Sequence, residues 1–546
     1  MATFSPRAAT EPARHHIGRT LAVALLCVTT SVVICALTFE LRWESSDDIA
    51  MSMVAHGYGI AANSSPNLFF SNVIWGHLVQ LLDAPGLIPG YSLASLAVLT
   101  LAGATLFTGL VSGAVPRSVA AAAVVLILAR PLLFQQFTIN AGLVTIAALL
   151  CWHHGARRDC SAAAFAGSGL MLLALLIRAP EACLVALVAL PLLPWSWLSS
   201  NRHARISLLA LALGFAGAQV LDQSAYRSAS WQDFAALNPL RAAFTDLGAG
   251  RAAKSHPHIV KQYGFSANDI MLIGSWFFAD PAIADPARLR GLIINLGGAS
   301  LALHSPSRAT RGIKNLWHPN LSPLFAAALL LALSQGGWRT AATWALCLGA
   351  VLALGIIGRP GALRVYVPLL SLLIVAPLLW SRLSERRTGI TLLVLACAAA
   401  ANSYRLVDQS VGEQRAASAL RRSFDELGER PVVTWGSAFP YESIYTVLDA
   451  SHTTRAYRMY GLGVFTLAPF SVGIAETRTG NGIIARLASA EGVRMIADQR
   501  QIDLLSVYCV EHFGTKLEEL PTPPLGKLRV SRQRCRNQSQ LPTAEH

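Results

Sequence analysis

Two adjacent acids, Asp47 and Asp48, stand in the run Trp43-Glu-Ser-Ser-Asp-Asp-Ile49, just beyond the first long apolar stretch of the chain. A carboxylate at a membrane surface is able to take the proton of a hydroxyl, and it needs solvation or a partner there. Ser45 followed three residues later by Asp48 fits a helix start, and acids suit the positive end of a helix dipole. Such a cap accounts for one acid better than for two. Arg178, Arg359 and Arg364 lie at the ends of apolar stretches. A guanidinium matches phosphate oxygens by bidentate geometry, and it also snorkels to lipid headgroups. Arg178 has a ready ion-pair partner in Glu181. His153 and His154 read as interfacial residues, not metal ligands.

The elements that must position these residues are membrane helices. Of the 546 residues 53% are hydrophobic and only 14% charged, and the mean hydropathy is +0.46. A soluble chain carries about 25% charged residues. A polar exterior cannot be built from what is present, so much of the surface must face lipid. The first apolar run, residues 20–39, carries no charge, and twenty helical residues span about 30 Å, the hydrocarbon thickness. Arg7, Arg14 and Arg19 precede it. The run is too long for a signal peptide and no A-x-A site follows, so it reads as an uncleaved signal anchor. Further spans are predicted at 91–115, 120–133, 139–152, 162–177, 182–198, 206–221, 321–333, 341–357, 365–380 and 389–403. That makes about eleven. Counting from a cytoplasmic N-terminus places nine arginines in cytoplasmic connections and four in the short outer ones, as the positive-inside rule requires. The four outer ones are Arg130, Arg178, Arg359 and Arg364.

This topology puts three parts outside: loop 40–90, segment 222–320 and the C-terminal region from about 406. Residues 69–82 read as an amphipathic helix, lying at the interface or packed on the bundle. Segment 222–320 carries ten basic, six acidic and ten aromatic residues, too apolar for disorder, with helical periodicity at 233–247 and 267–278. Asp280, before Pro281, reads as a helix end. The C-terminal region alternates a strand at 430–437, a helix at 482–490, a strand at 493–498, a helix at 502–513 and a final strand at 527–530, a small α/β domain. Cys27, Cys35, Cys151, Cys183, Cys347 and Cys397 lie in apolar stretches and act as small hydrophobes. Cys509 and Cys535 fall on the oxidising side, and a disulfide between them is a hypothesis. The chain therefore divides into a cytoplasmic tail (1–19), a transmembrane bundle with its outer loops (20–405) and an extracytoplasmic α/β domain (406–546).

The net charge of +14 is met by positive-inside loops. Its basic residues form no stripe and no recognition motif, so nucleic acid is not a partner. P-loop, GxGxxG, HExxH, GxSxG and CxxC patterns are all absent. The GxxxG of Gly109 and Gly113 is helix packing.

A signal-anchor span, an acid pair just beyond it, an interfacial helix, many spans and an outer C-terminal domain resemble the GT-C superfamily of membrane glycosyltransferases. The resemblance covers most of the chain, and Asp47 and Asp48 carry its local motif. Many members separate the two acids by one residue, whereas here they are adjacent. The resemblance implies transfer of a sugar, hexosyl or pentosyl, from a polyprenyl-phosphate-linked donor to a glycan or lipid acceptor of the cell envelope, at the outer face of a bacterial inner membrane. Asp47 or Asp48 would be the catalytic base, with the other orienting acceptor or a divalent metal (Mg2+ or Mn2+). Arg178, Arg359 and Arg364 would hold the donor phosphate. The rivals are a transporter or flippase of a lipid-linked or anionic substrate, and a non-catalytic glycan-assembly subunit. Transporters place charges mid-span and show internal repeats. These span interiors are nearly uncharged and no repeat is visible.

Overall fold

A computed structural model describes residues 11–82, 88–298, 306–358, 361–380, 384–425, 431–448, 458–522 and 528–535. Its main body is a bundle. Helix α1 (Glu11–Thr38) is followed by a two-residue strand β1 (Arg42–Trp43), then by α2 (Ser46–His56), α3 (Val73–Leu81), α4 (Gly90–Ser112) and α5 (Arg117–Leu133). Strand β2 (Phe134–Gln135) pairs parallel with β1 and leads into α6 (Phe137–Arg158) and α7 (Ser161–Val188). Next come α8 (Arg202–Ala225), α9 (Ala229–Thr245), α10 (Ala267–Gly274), α11 (Ser322–Gln335), α12 (Trp338–Ile356), α13 (Leu363–Trp380) and α14 (Glu385–Asp425).

Eight of the described helices are long and apolar enough to cross a membrane, and the bent pair Thr310–Trp317 with α11 adds a ninth. Helix α7 is two limbs. Arg178 has non-helical angles (φ −156°, ψ 88°). Pro180, two residues later, falls in the first turn of the second limb, where a missing N–H costs no hydrogen bond. The chain reverses there. Leu176 gives its carbonyl to the Asn72 N–H. Beyond the break, the Leu192 carbonyl meets His153, and Trp197 and Asn201 both bond Asp159, beside the helix start. The sequence predicts about eleven spans; of these, 120–133 and 321–333 fall on the shorter α5 and α11, and 162–177 and 182–198 fall on the two limbs of α7.

Burial follows the apolar pattern. Helices α6 and α13 are buried almost throughout and form the centre. Gly142 permits their approach, since a Cβ there would lie 2.4 Å from the Pro368 side chain. Helices α1 and α8 stay outside, with Leu26, Leu37, Leu209, Leu213 and Val220 exposed. Apolar side chains in that number on a helix exterior belong in lipid. Helix α3 buries Trp75, Gly76 and Val79 while Leu78, Leu81 and Leu82 are exposed. It is shorter than the expected 69–82 and both packs on the bundle and offers an apolar face outward.

All three protruding parts meet at one end of the bundle and form a cap. Helix α14 continues without a break from the bundle to Asp425. The α/β domain follows with β3 (Val432–Trp435), α15 (Tyr441–Ile444), β4 (Met459–Leu462), β5 (Val493–Ile496), α16 (Gln499–Phe513), β6 (Leu517–Leu520) and β7 (Ser531–Cys535). The sheet order is β4-β3-β5-β7-β6, parallel among the first three strands and antiparallel for the last two. The last strand is therefore 531–535, not 527–530. Its alternating burial places Ser531, Gln533 and Cys535 inward, a period-two pattern hidden by its arginines. Cys509 and Cys535 are disulfide-bonded, with Cα atoms 5.4 Å apart.

The 226–298 stretch is not a domain of its own. Leu237, Phe244, Ile273, Phe277 and Leu292 share one core with Val433, Trp435, Met495 and Tyr508. The Trp435 indole donates to the Ser275 carbonyl at 2.6 Å and the Tyr508 hydroxyl to Asp280 at 2.6 Å. Asp280 thus docks the two segments on each other. The first outer loop joins the same sheet. Met459 N–H donates to Gly59 O and Val472 N–H to Ile60 O, each at 2.9 Å.

Candidate active site at the capped end of the bundle

Helix α2 starts where the acid pair predicts, with Ser45 extended at its N-cap. The expected cap is not made. Ser45 makes no side-chain bond to the helix backbone. Its hydroxyl donates instead to Asp48 Oδ2 at 3.1 Å. Asp48 is fully buried, and its Oδ1 accepts from the Tyr91 hydroxyl and from the Phe137 N–H, both at 3.0 Å. These bonds tie α2 to the starts of α4 and α6. Burial pushes the Asp48 carboxyl up to about 8, and the neighbouring charge of Asp47 adds to this, against the opposing bonds from Phe137, Tyr91 and Ser45.

Asp47 behaves differently. Its side chain is 26% exposed and pairs with the Arg364 guanidinium, itself 39% exposed at the start of α13. A second cation comes from the break in α7. Arg178 donates to the Phe70 carbonyl at 3.0 Å and lies over the rings of Phe70 and Phe137, at 5.5 and 5.6 Å. Glu181 is buried, with Oε1 accepting no hydrogen bond. The cations whose charges act on it are Arg178 and Arg364. Glu442 reaches the same place from α15. Burial raises its pKa, the charge of Asp47 raises it further, and the N–H of Ser46 holds it.

Of the residues singled out in the sequence, Asp47, Arg364 and Arg178 thus gather at one place. Asp48 points into the interior. Arg359 lies outside the described residues. Arg130, the remaining arginine at a predicted outer end, pairs with Glu44 at 2.7 Å, both side chains buried. Burial raises the Glu44 pKa, while Arg130 opposes this. Glu442 was missed, because nothing in a sequence places residue 442 beside residue 46.

The acids do not fit a divalent metal. Both oxygens of Asp48 are engaged by protein donors and Asp47 is engaged by a guanidinium. The one group of three side chains among the described residues that could hold an ion is Asp269, Glu511 and His512 in the cap. Even there Asp269 already binds His512 at 2.9 Å and the Ser266 N–H at 2.8 Å.

The arrangement offers a reachable carboxylate in Asp47, a guanidinium bonded to it and a second guanidinium nearby. That set is able to take a proton and hold an anion. No family model matches the chain, and no curated protein matches it. Among solved structures, the crystal structure of ArnT from Cupriavidus metallidurans bound to undecaprenyl phosphate is similar over 95% of this chain and 98% of that chain, at 14% identity and a TM-score of 0.36. At that identity and score the likeness establishes neither family nor function.

Proposed function

We propose that this multi-pass membrane protein is a glycosyltransferase that moves a sugar from a polyprenyl-phosphate donor to an acceptor of the cell envelope, with the cap on the outer side. The observation that carries this reading is the solvent-reachable Asp47 carboxylate paired with Arg364 and close to Arg178, at the junction of bundle and cap. In the reaction the acceptor oxygen attacks the anomeric carbon. Its proton passes to Asp47, and the lipid phosphate leaves with the electron pair of the broken C–O bond. Charge grows on that phosphate, and fixed guanidinium groups aimed at it lower the barrier. Arg364 and Arg178 take this role, with Arg359 as a third from its place in the sequence. Asp48 is a positioning residue: it fixes the first turn of α2 and so the direction of Asp47. No step needs a metal.

The outward direction of the cap is supported by the arginine-rich opposite end, and on this reading the N-terminus is cytoplasmic and the membrane a bacterial inner membrane. The test is a strain lacking the protein, assayed for surface glycans and for lipid-linked sugars on each leaflet. Accumulation of a polyprenyl-phosphate sugar exposed on the outer leaflet, with a shortened surface glycan, is expected. A donor retained on the inner leaflet would make the protein a flippase and overturn the assignment.

A further inference from the structure

Under the proposed chemistry the site as folded has a contradiction. The base assigned to the reaction, Asp47, is occupied by Arg364. A carboxylate oxygen bonded to a guanidinium has to give up that bond before a hydroxyl reaches it. Arg364 is also the cation best placed for a donor phosphate, being the more exposed member of the pair. Both demands fall on a single side chain.

A second carboxylate resolves this. Glu181 is 3% exposed, with an oxygen that accepts nothing, and the charges that act on it are those of Arg178 and, to a lesser extent, Arg364. A buried acid with an unfilled acceptor is costly unless a cation stays close. Glu181 therefore offers Arg364 an open acceptor to turn to when it leaves Asp47. Arg364 has five N–H donors, enough to face Glu181 and a phosphate together. Arg178 is fixed by the Phe70 carbonyl and two rings, so it has no comparable freedom.

Resting on the glycosyltransferase reading, we propose that the Asp47–Arg364 pair is a donor-operated lock. A lipid-borne phosphate takes Arg364 from Asp47 and so releases the base, and Glu181 keeps the guanidinium in place during the exchange. The base is then active only when the leaving group is already seated. An acceptor arriving first, or water, meets a carboxylate still bonded to Arg364.

The test uses the full-length protein in detergent, with farnesyl phosphate as the probe. Carbodiimide labelling of Asp47, read by mass spectrometry against the exposed Asp503 of α16, reports whether the carboxylate is released. Farnesyl phosphate is expected to raise Asp47 labelling several-fold. Arg364→Gln is expected to show high labelling without the probe and no further rise with it. Asp47→Asn is expected to bind the probe about tenfold more tightly, a competitor for Arg364 having been removed. Unchanged or lowered Asp47 labelling in the wild type with bound probe overturns the lock. An equal rise with inorganic phosphate overturns the lipid assignment. A wild-type protein that binds no farnesyl phosphate overturns the function on which the lock rests. If Arg364→Gln does not fold, Arg364→Lys replaces it, and a wild-type response in that variant counts against the proposal.

Discussion

The two ends of the bundle handle arginine in opposite ways. At the capped end four of the described arginines bond carboxylates directly. Arg42 and Arg421 bond Glu40 at 2.5 Å, Arg130 bonds Glu44 at 2.7 Å and Arg364 bonds Asp47. At the opposite end, among the described residues, arginines meet carbonyls and rings. Arg157 donates to the Leu379 carbonyl and Arg339 lies 3.8 Å from the centre of the Trp380 ring. Arg117 and Arg202 stand at helix starts. Charges that only anchor a helix in an interface need no protein partner, since headgroups and water supply it. Charges drawn into a folded end need acids, because desolvation is otherwise uncompensated. The pairing of arginine thus marks the end at which the protein, and not the lipid, organises charge.

The sharpest way to break this comparison is at the one reachable pair. Asp47→Asn is expected to lower transfer by about 10²–10⁴-fold, the usual contribution of a general base, with membrane expression unchanged. A variant with full activity removes Asp47 from the mechanism. The next effect is on stability. Glu44→Ala leaves Arg130 buried without its partner and is expected to cost about 3–5 kcal/mol, read as a drop in melting temperature in detergent. Glu44→Gln with Arg130→Met is expected to recover most of it, and failure to do so would mean that the charges themselves, not their balance, hold the turn.

Asp48 gives a pH signature. Its folded pKa of about 8 stands above its ordinary value of 3.8, so the folded state holds the proton more tightly than the unfolded one. The stability it confers is complete below about pH 4 and is lost as pH rises through about 8. Asp48→Asn is expected to flatten the fall in melting temperature over that window, with the amide oxygen still accepting from Tyr91 and Phe137. A wild-type slope in the variant would assign the titration elsewhere. The smallest effect belongs to the opposite end. Arg202→Ala with Arg205→Ala is expected to change stability by no more than about 0.5 kcal/mol, as for other surface sites. A larger loss would show that the protein organises charge there as well.

The spans were legible because their composition is dictated by lipid. Even the break in α7 was readable, since Arg178-Ala-Pro-Glu181 interrupts an apolar run with a charge, a proline and a second charge. The division of labour between Asp47 and Asp48 was not. Neighbours on a helix point about 100° apart, so adjacency in sequence guarantees separation in space, and which one turns inward depends on Tyr91 and Phe137. Glu442 and the shared core of the cap were hidden for a related reason. The halves of the core are separated by four long helices of the bundle, and Glu442 is separated from Ser46 by nearly all of them.

That shared core has a consequence for how the protein is made. The apolar face of Leu237, Phe244 and Leu292 is translated well before Val433 and Met495, which cover it. At about 5–20 residues per second, the interval is on the order of ten seconds. During that time the half-built cap stands beside the membrane with a greasy surface and no partner. The cell must shield it or let it rest on the bilayer, and a chain cut short before the sheet would carry that surface permanently.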